Sequence, residues 1–149
     1  MVSPSEIEAY LHEHIPLSAA MGVTVESADA EAVVLAAPLE PNINHRETVF
    51  GGSATALAIL AAWTLLYLRL RAEGLDNRLV IQHHDMDYET PATGPFRARA
   101  ALDEPGDWER FTRTLERRGR GRIALAATLE QDGTRVGRLW GTFVALGAD

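Results

Sequence analysis

No charged residue falls between Ala54 and Leu68, and apolar side chains recur there on every side of a 3.6-residue repeat. That is the pattern of a helix buried on most of its faces, and we read it over residues 53–71. Elsewhere the rhythm shortens. Val23 and Val25 alternate with polar neighbours, and Val33-Val34-Leu35 form a short apolar run. They predict strands over 21–28 and 31–37, joined at Ala28-Asp29-Ala30. Four more strands are expected. The first two run over 79–88, bounded by Pro91, and over 96–102, ended by Asp103-Glu104-Pro105-Gly106. The last two, 122–131 and 135–146, meet at Asp132-Gly133, a tight-hairpin signal.

Near the start, Ser3-Pro4-Ser5-Glu6 carries an N-cap serine, a first-turn proline and the glutamate of a capping box. The helix it opens should stop near His14, because Pro16 disfavours a helical residue before it. Residues 107–118 set Trp108, Phe111 and Leu115 at helical spacing in a polar stretch, read as a short helix or structured loop. Residues 38–49 are an irregular loop. The order is therefore helix, two strands, long loop, apolar helix, four strands. A buried helix needs something wrapped around it, and an α+β fold with one antiparallel sheet curled about that helix meets the need. At 149 residues we expect a single domain spanning 1–149.

Composition narrows the partners. A net charge of −7 argues against nucleic acid, which wants a basic surface. Yet Arg110, Arg113, Arg117, Arg118, Arg120 and Arg122 crowd one segment, whereas no lysine or arginine precedes Arg46. The cluster suits a small anionic ligand, or else a solvated face paired with Glu109 and Glu116. With 0 cysteines, disulfides, thiolate metal sites and a cysteine nucleophile are excluded. No signal peptide or membrane span is read, so a cytoplasmic protein with no membrane partner is expected.

The candidate chemistry gathers at Asn44-His45-Arg46-Glu47-Thr48-Val49-Phe50-Gly51-Gly52-Ser53. Two glycines at a helix start let the backbone approach a ligand and offer it unpaired N–H groups, reinforced by the helix dipole. The bland alternative is a tight turn. For a polarised carbonyl, the Gly52 N–H, aided by Gly51 or Ser53, is the natural donor. Asn44 could orient a water or donate a second hydrogen bond to the carbonyl, and His45 is the nearest group suited to proton transfer at neutral pH. Thr48 and Ser53 would brace the loop beside the substrate. In His83-His84-Asp85-Met86-Asp87 the adjacent histidines point to opposite faces, so we expect a polar strand face and no metal site. Trp63, Tyr67 and Trp140 are read as core rather than as lining for an acyl tunnel.

These features together resemble the hotdog-fold thioesterases, over roughly Ser5 to Leu146. More narrowly, they are similar to the bacterial thioesterase-like domain found alone or fused to acetyltransferase domains. The segment just quoted, Tyr88-x-x-Pro91, Gly119-Arg120-Gly121-Arg122 and Gly141-Thr142-Phe143-Val144 carry the resemblance. Asn44 matches the family asparagine and Gly51-Gly52 its glycine pair, with Phe50 where a histidine usually stands.

The resemblance implies hydrolysis of an acyl-CoA or acyl-carrier-protein thioester without a separate cofactor, coenzyme A arriving as part of the substrate. Arg120 and Arg122 would meet its phosphates. It also implies a homodimer or homotetramer whose sites lie at the subunit interface. Many relatives carry a carboxylate two turns into the helix. Here Leu57, Ala58, Ile59 and Leu60 stand there, and no carboxylate occurs before Glu73. Asp85 or Asp87 of a second subunit is the candidate substitute. The alternative is a module that binds acyl thioesters without turning them over.

Overall fold

The computed structural model describes residues 2–148. Helix α1 spans Pro4–His14, and Ser3 and Glu6 form the expected capping box. Pro16 does more than end it. It occupies the first turn of a second short helix, α2 (Pro16–Ala20), which the sequence reading missed. The fixed φ that stops one helix suits the start of the next. Strands β1 (Thr24–Ala28) and β2 (Ala32–Ala37) follow, then a 3-10 turn at Glu40–Asn42 and helix α3 (Gly51–Ala72). Next come β3 (Asn77–Tyr88), β4 (Phe96–Ala101), α4 (Pro105–Arg118), β5 (Gly121–Gln131) and β6 (Thr134–Ala148).

All six strands lie in one antiparallel sheet ordered β1-β2-β4-β5-β6-β3, so β3 is an edge strand. Alternation sends Val33, Leu35, Ala98, Ala100, Ala127, Leu139 and Phe143 to the face that holds α3, all fully buried. Leu57, Ala58, Ala61, Leu65 and Leu66 meet them from the helix. This is the hotdog arrangement. By length and composition α3 could cross a membrane; here the sheet embraces it instead.

The embrace is incomplete. Ile59, Trp63 and Tyr67 form a half-buried stripe on α3. Tyr67 stacks between Trp63 and Tyr10, at 4.9 and 5.0 Å between ring centres, and the Trp63 indole N–H donates to the Leu79 carbonyl at 2.9 Å. Trp140 corrects the core reading outright. It lies on the opposite face of the sheet and is 42% exposed, with Arg138 stacked over it.

Candidate active site at the start of the central helix

Phe50 is the N-cap of α3. It is extended (φ −57°, ψ 132°) and supplies no side-chain cap. The N–H groups of Gly51 and Gly52 have no acceptor among the described residues, so the positive end of a 22-residue helix is left open. Space alone does not demand the glycine pair, because the Phe50 ring is an exposed, movable side chain and the Tyr88 ring stands at ordinary contact distance. A Cβ on Gly52 would sit 2.4 Å from the exposed Phe50 ring, and one on Gly51 would touch the Tyr88 ring at 3.4 Å.

The preceding loop is held by its own side chains. Asn44 Oδ1 accepts from the Arg46 and Thr48 N–H groups at 2.8 and 3.1 Å. Its Nδ2 donates to Thr48 Oγ1 at 2.9 Å and reaches the Val49 carbonyl at 3.5 Å. Both amide donors and both oxygen lone pairs are thus engaged inside the loop. Where the sequence reading had Asn44 orient a water, the structure shows its amide engaged in holding the loop.

Glu47 adopts a left-handed φ of 63° to close this turn. Backbone bonds from Val49 N–H to the Ala92 carbonyl and from Phe50 N–H to the Asn42 carbonyl, both 2.8 Å, tie the loop to the body. Asn42 is buried beneath it, donating to the Met21 and Pro38 carbonyls. His45 is exposed on the loop and makes no hydrogen bond among the described residues. Ser53 is half-buried in the first turn of α3.

Two residues at the site escaped the sequence reading of its chemistry. The Tyr88 hydroxyl donates to the Gly51 carbonyl at 3.1 Å and lies 2.5 Å from Thr55 Oγ1. The strand-end signal Tyr88-x-x-Pro91 was visible, but a partner 37 residues away along the chain was not. Beside Tyr88 opens a cavity of about 280 Å³ lined by Thr48, Gly51, Ala54 and the buried Val49, Leu129 and Val136. Glu89, also on its wall, takes two hydrogen bonds from Arg135 at 2.7 and 2.6 Å. The Arg135 guanidinium holds that carboxyl below its ordinary value and is itself raised.

Other candidates lie elsewhere. Arg122 bonds Gln82 Oε1 at 3.3 Å on the outer sheet face. Six residue steps along β3 part Gln82 from Tyr88, roughly 20 Å, and Arg120 is at the same distant end. Asp85 and Asp87 pair with Trp140 and Arg138 across β6, again on the outer face, and Asp85 is 3.5 Å from His83. Both aspartates therefore face away from the helix start of their own chain. Among the described residues no three metal-ligating side chains converge. Glu73, the first carboxylate along the helix, accepts from the Trp108 indole at the far end.

The family described as putative thioesterase (yiiD_Cterm) matches residues 4–147. A protein of unknown function from Chlorobaculum tepidum is 30% identical, covering 97% of this chain and 94% of its own, with a TM-score of 0.89. A putative thioesterase from Shewanella oneidensis is 23% identical, covering 96% of both chains, with a TM-score of 0.81. A thioesterase from Haemophilus influenzae shares the fold at 11% identity, with 99% and 92% of the two chains covered and a TM-score of 0.79.

Proposed function

Because the chain belongs to the yiiD C-terminal thioesterase family, we propose that it hydrolyses acyl thioesters at the start of α3. The observation that supports this most is the pair of unpartnered N–H groups at Gly51 and Gly52 beside an apolar cavity. A thioester oxygen placed there gains hydrogen bonds that strengthen as attack by water turns it into an oxyanion. The tetrahedral adduct then collapses, the C–S bond breaks, and the sulfur leaves as a thiolate that takes up a proton. With a thiol pKa of about 8.5 that departure needs little acid assistance. We assign the removal of a proton from water to His45, the nearest exposed imidazole on the loop. Asn44 and Thr48 hold that loop in register with the helix start.

The thiol carrier in this proposal is coenzyme A or a carrier protein, with no further cofactor. Arg120 and Arg122 can serve its phosphates only from a second copy. Antiparallel pairing of two β3 edges sets the Tyr88 end of one strand beside the Asn77 end of the other, where β5 begins. A homodimer or homotetramer is accordingly part of the proposal, as is a cytoplasmic location.

A binding module without turnover is the second reading. It is favoured by the lack of a carboxylate in α3 before Glu73 and by the fully engaged Asn44 amide. Thiol release from acyl-coenzyme A substrates separates the two, and a chain with 0 cysteines contributes no background to a thiol-reactive dye. Hydrolysis predicts steady release that falls at least about tenfold in Asn44→Ala. No release, together with heat protection by the same compounds, would establish the module.

A further inference from the structure

We infer that the cavity beside Gly51 is an acyl pocket for short, uncharged acyl groups, and that Leu129 and Val136 set its length. The inference rests on the proposed site and adds its substrate class. Three observations converge.

The cavity is continuous with the open helix start, since Gly51 and Ala54 of the first turn line it. A carbonyl bound at the N–H groups therefore has its acyl side facing the opening. Its deeper wall is apolar: Val49, Ala92, Leu129 and Val136 are each 8% exposed or less. Such a wall favours hydrocarbon and penalises an unpaired charge. Arg135 cannot welcome a second carboxylate at the rim, because Glu89 already engages its guanidinium through both oxygens.

Size gives the limit. About 280 Å³ is the share of roughly nine waters at about 30 Å³ each, and a methylene is close to a water in bulk. The pocket holds an acyl group of up to about eight carbons, or a single aryl ring. Long chains would have to leave it.

Two of its buried lining residues lie near the tip of the β5–β6 hairpin. Leu129 is on β5 and Val136 on β6, flanking the Asp132-Gly133 turn. Both are held by backbone as well as by packing. The Val136 carbonyl accepts from the Glu89 and Thr90 N–H groups at 2.9 and 3.1 Å, and Leu129 pairs with Gly137. Neither touches the proposed donors, so changing either alters length and leaves the polarising geometry alone.

The test pairs hydrolysis with binding. Straight-chain acyl-coenzyme A from two to sixteen carbons is assayed for thiol release, and S-alkyl-coenzyme A thioethers of the same lengths are titrated by calorimetry. We expect kcat/KM and affinity to rise about fourfold per methylene, to peak by about eight carbons and to fall beyond, with succinyl well below butyryl. Leu129→Ala should move the optimum up by two or three carbons. Val136→Phe, which fills the space instead of emptying it, should move it down to four or fewer.

A flat profile, an optimum at twelve carbons or more, or an optimum unmoved in both folded variants would overturn the pocket. If the thioethers show the length optimum while no thiol is ever released, the pocket stands and hydrolysis falls. Neither binding nor release would overturn both.

Discussion

The two ends of α3 differ in what they leave undone. At the C-terminal end the larger cavity, about 510 Å³, opens among Ile7, Ala28, Leu68 and Ala72. Its polar groups are already occupied. Arg69 donates to the Ala30 carbonyl at 2.7 Å and lies 4.5 Å from the Trp108 ring centre. Arg71 donates to the Leu75 carbonyl at 2.6 Å and covers Tyr67. The last N–H and carbonyl groups are closed by the turn from Glu73 to Leu75. Burial lowers the pKa of Arg69, yet the guanidinium stays charged beside Glu73. The N-terminal end has the smaller cavity and no cap. Volume and unspent hydrogen-bonding capacity therefore point to opposite ends of the helix.

The comparison breaks most visibly at the finished end. Trp108→Ala removes a buried indole, its hydrogen bond to Glu73 and the partner of Arg69. Its expected cost is about 3–5 kcal/mol of stability. Chemical denaturation should show that loss while kcat of the remaining folded protein is unchanged. A fall in kcat at full folding would show that the C-terminal end takes part in the site.

Gly51→Pro probes the unfinished end. Proline fits the first helical position, and Phe50 before it is already extended, as proline requires. The substitution deletes one free N–H and little else, so kcat should fall about a hundredfold or more with the melting temperature nearly constant. Unchanged kcat would take Gly51 out of the chemistry.

The smallest effect belongs to the cavity rim. Glu89 has a lowered pKa because Arg135 hydrogen-bonds its ionised form. Its contribution is thus complete above the ordinary value of 4.5 and is lost as pH falls through the lower folded value. Glu89→Gln should melt slightly below the parent at neutral pH and coincide with it in acid. The gap stays small because the pair is exposed, and a gap that widened on acidification would reverse the sign assigned here.

The fold was legible because its signals are local or periodic. The uncharged run 54–68 named the central helix, and Asp132-Gly133 named the hairpin, where φ values of 50° and 79° confirm the turn. Trp140 could have been placed correctly too. It shares parity with Arg138 and Thr142, not with Leu139 and Phe143, and alternation alone sends it outward.

The site was legible only in part. The glycine pair announces an open helix start. That Asn44 exhausts its amide within its own turn depends on competition among nearby partners that no spacing reveals. Tyr88 and Thr55 meet through tertiary packing, and Arg122 is parted from the helix start by the pleat and length of β3. Asp85 and Asp87 were drawn toward the site by analogy, and the strand register places them on the outer face of their own sheet.

The groups that would polarise a substrate and those that would measure it sit on different stretches of chain. The N–H donors are backbone atoms of α3, whereas the cavity lining includes side chains close to a two-residue hairpin tip. Exchanging a buried side chain there costs packing but leaves the backbone of the helix start in place. A lineage carrying this architecture can therefore drift from one acyl length to another by editing Leu129 and Val136 while its reaction is inherited unchanged.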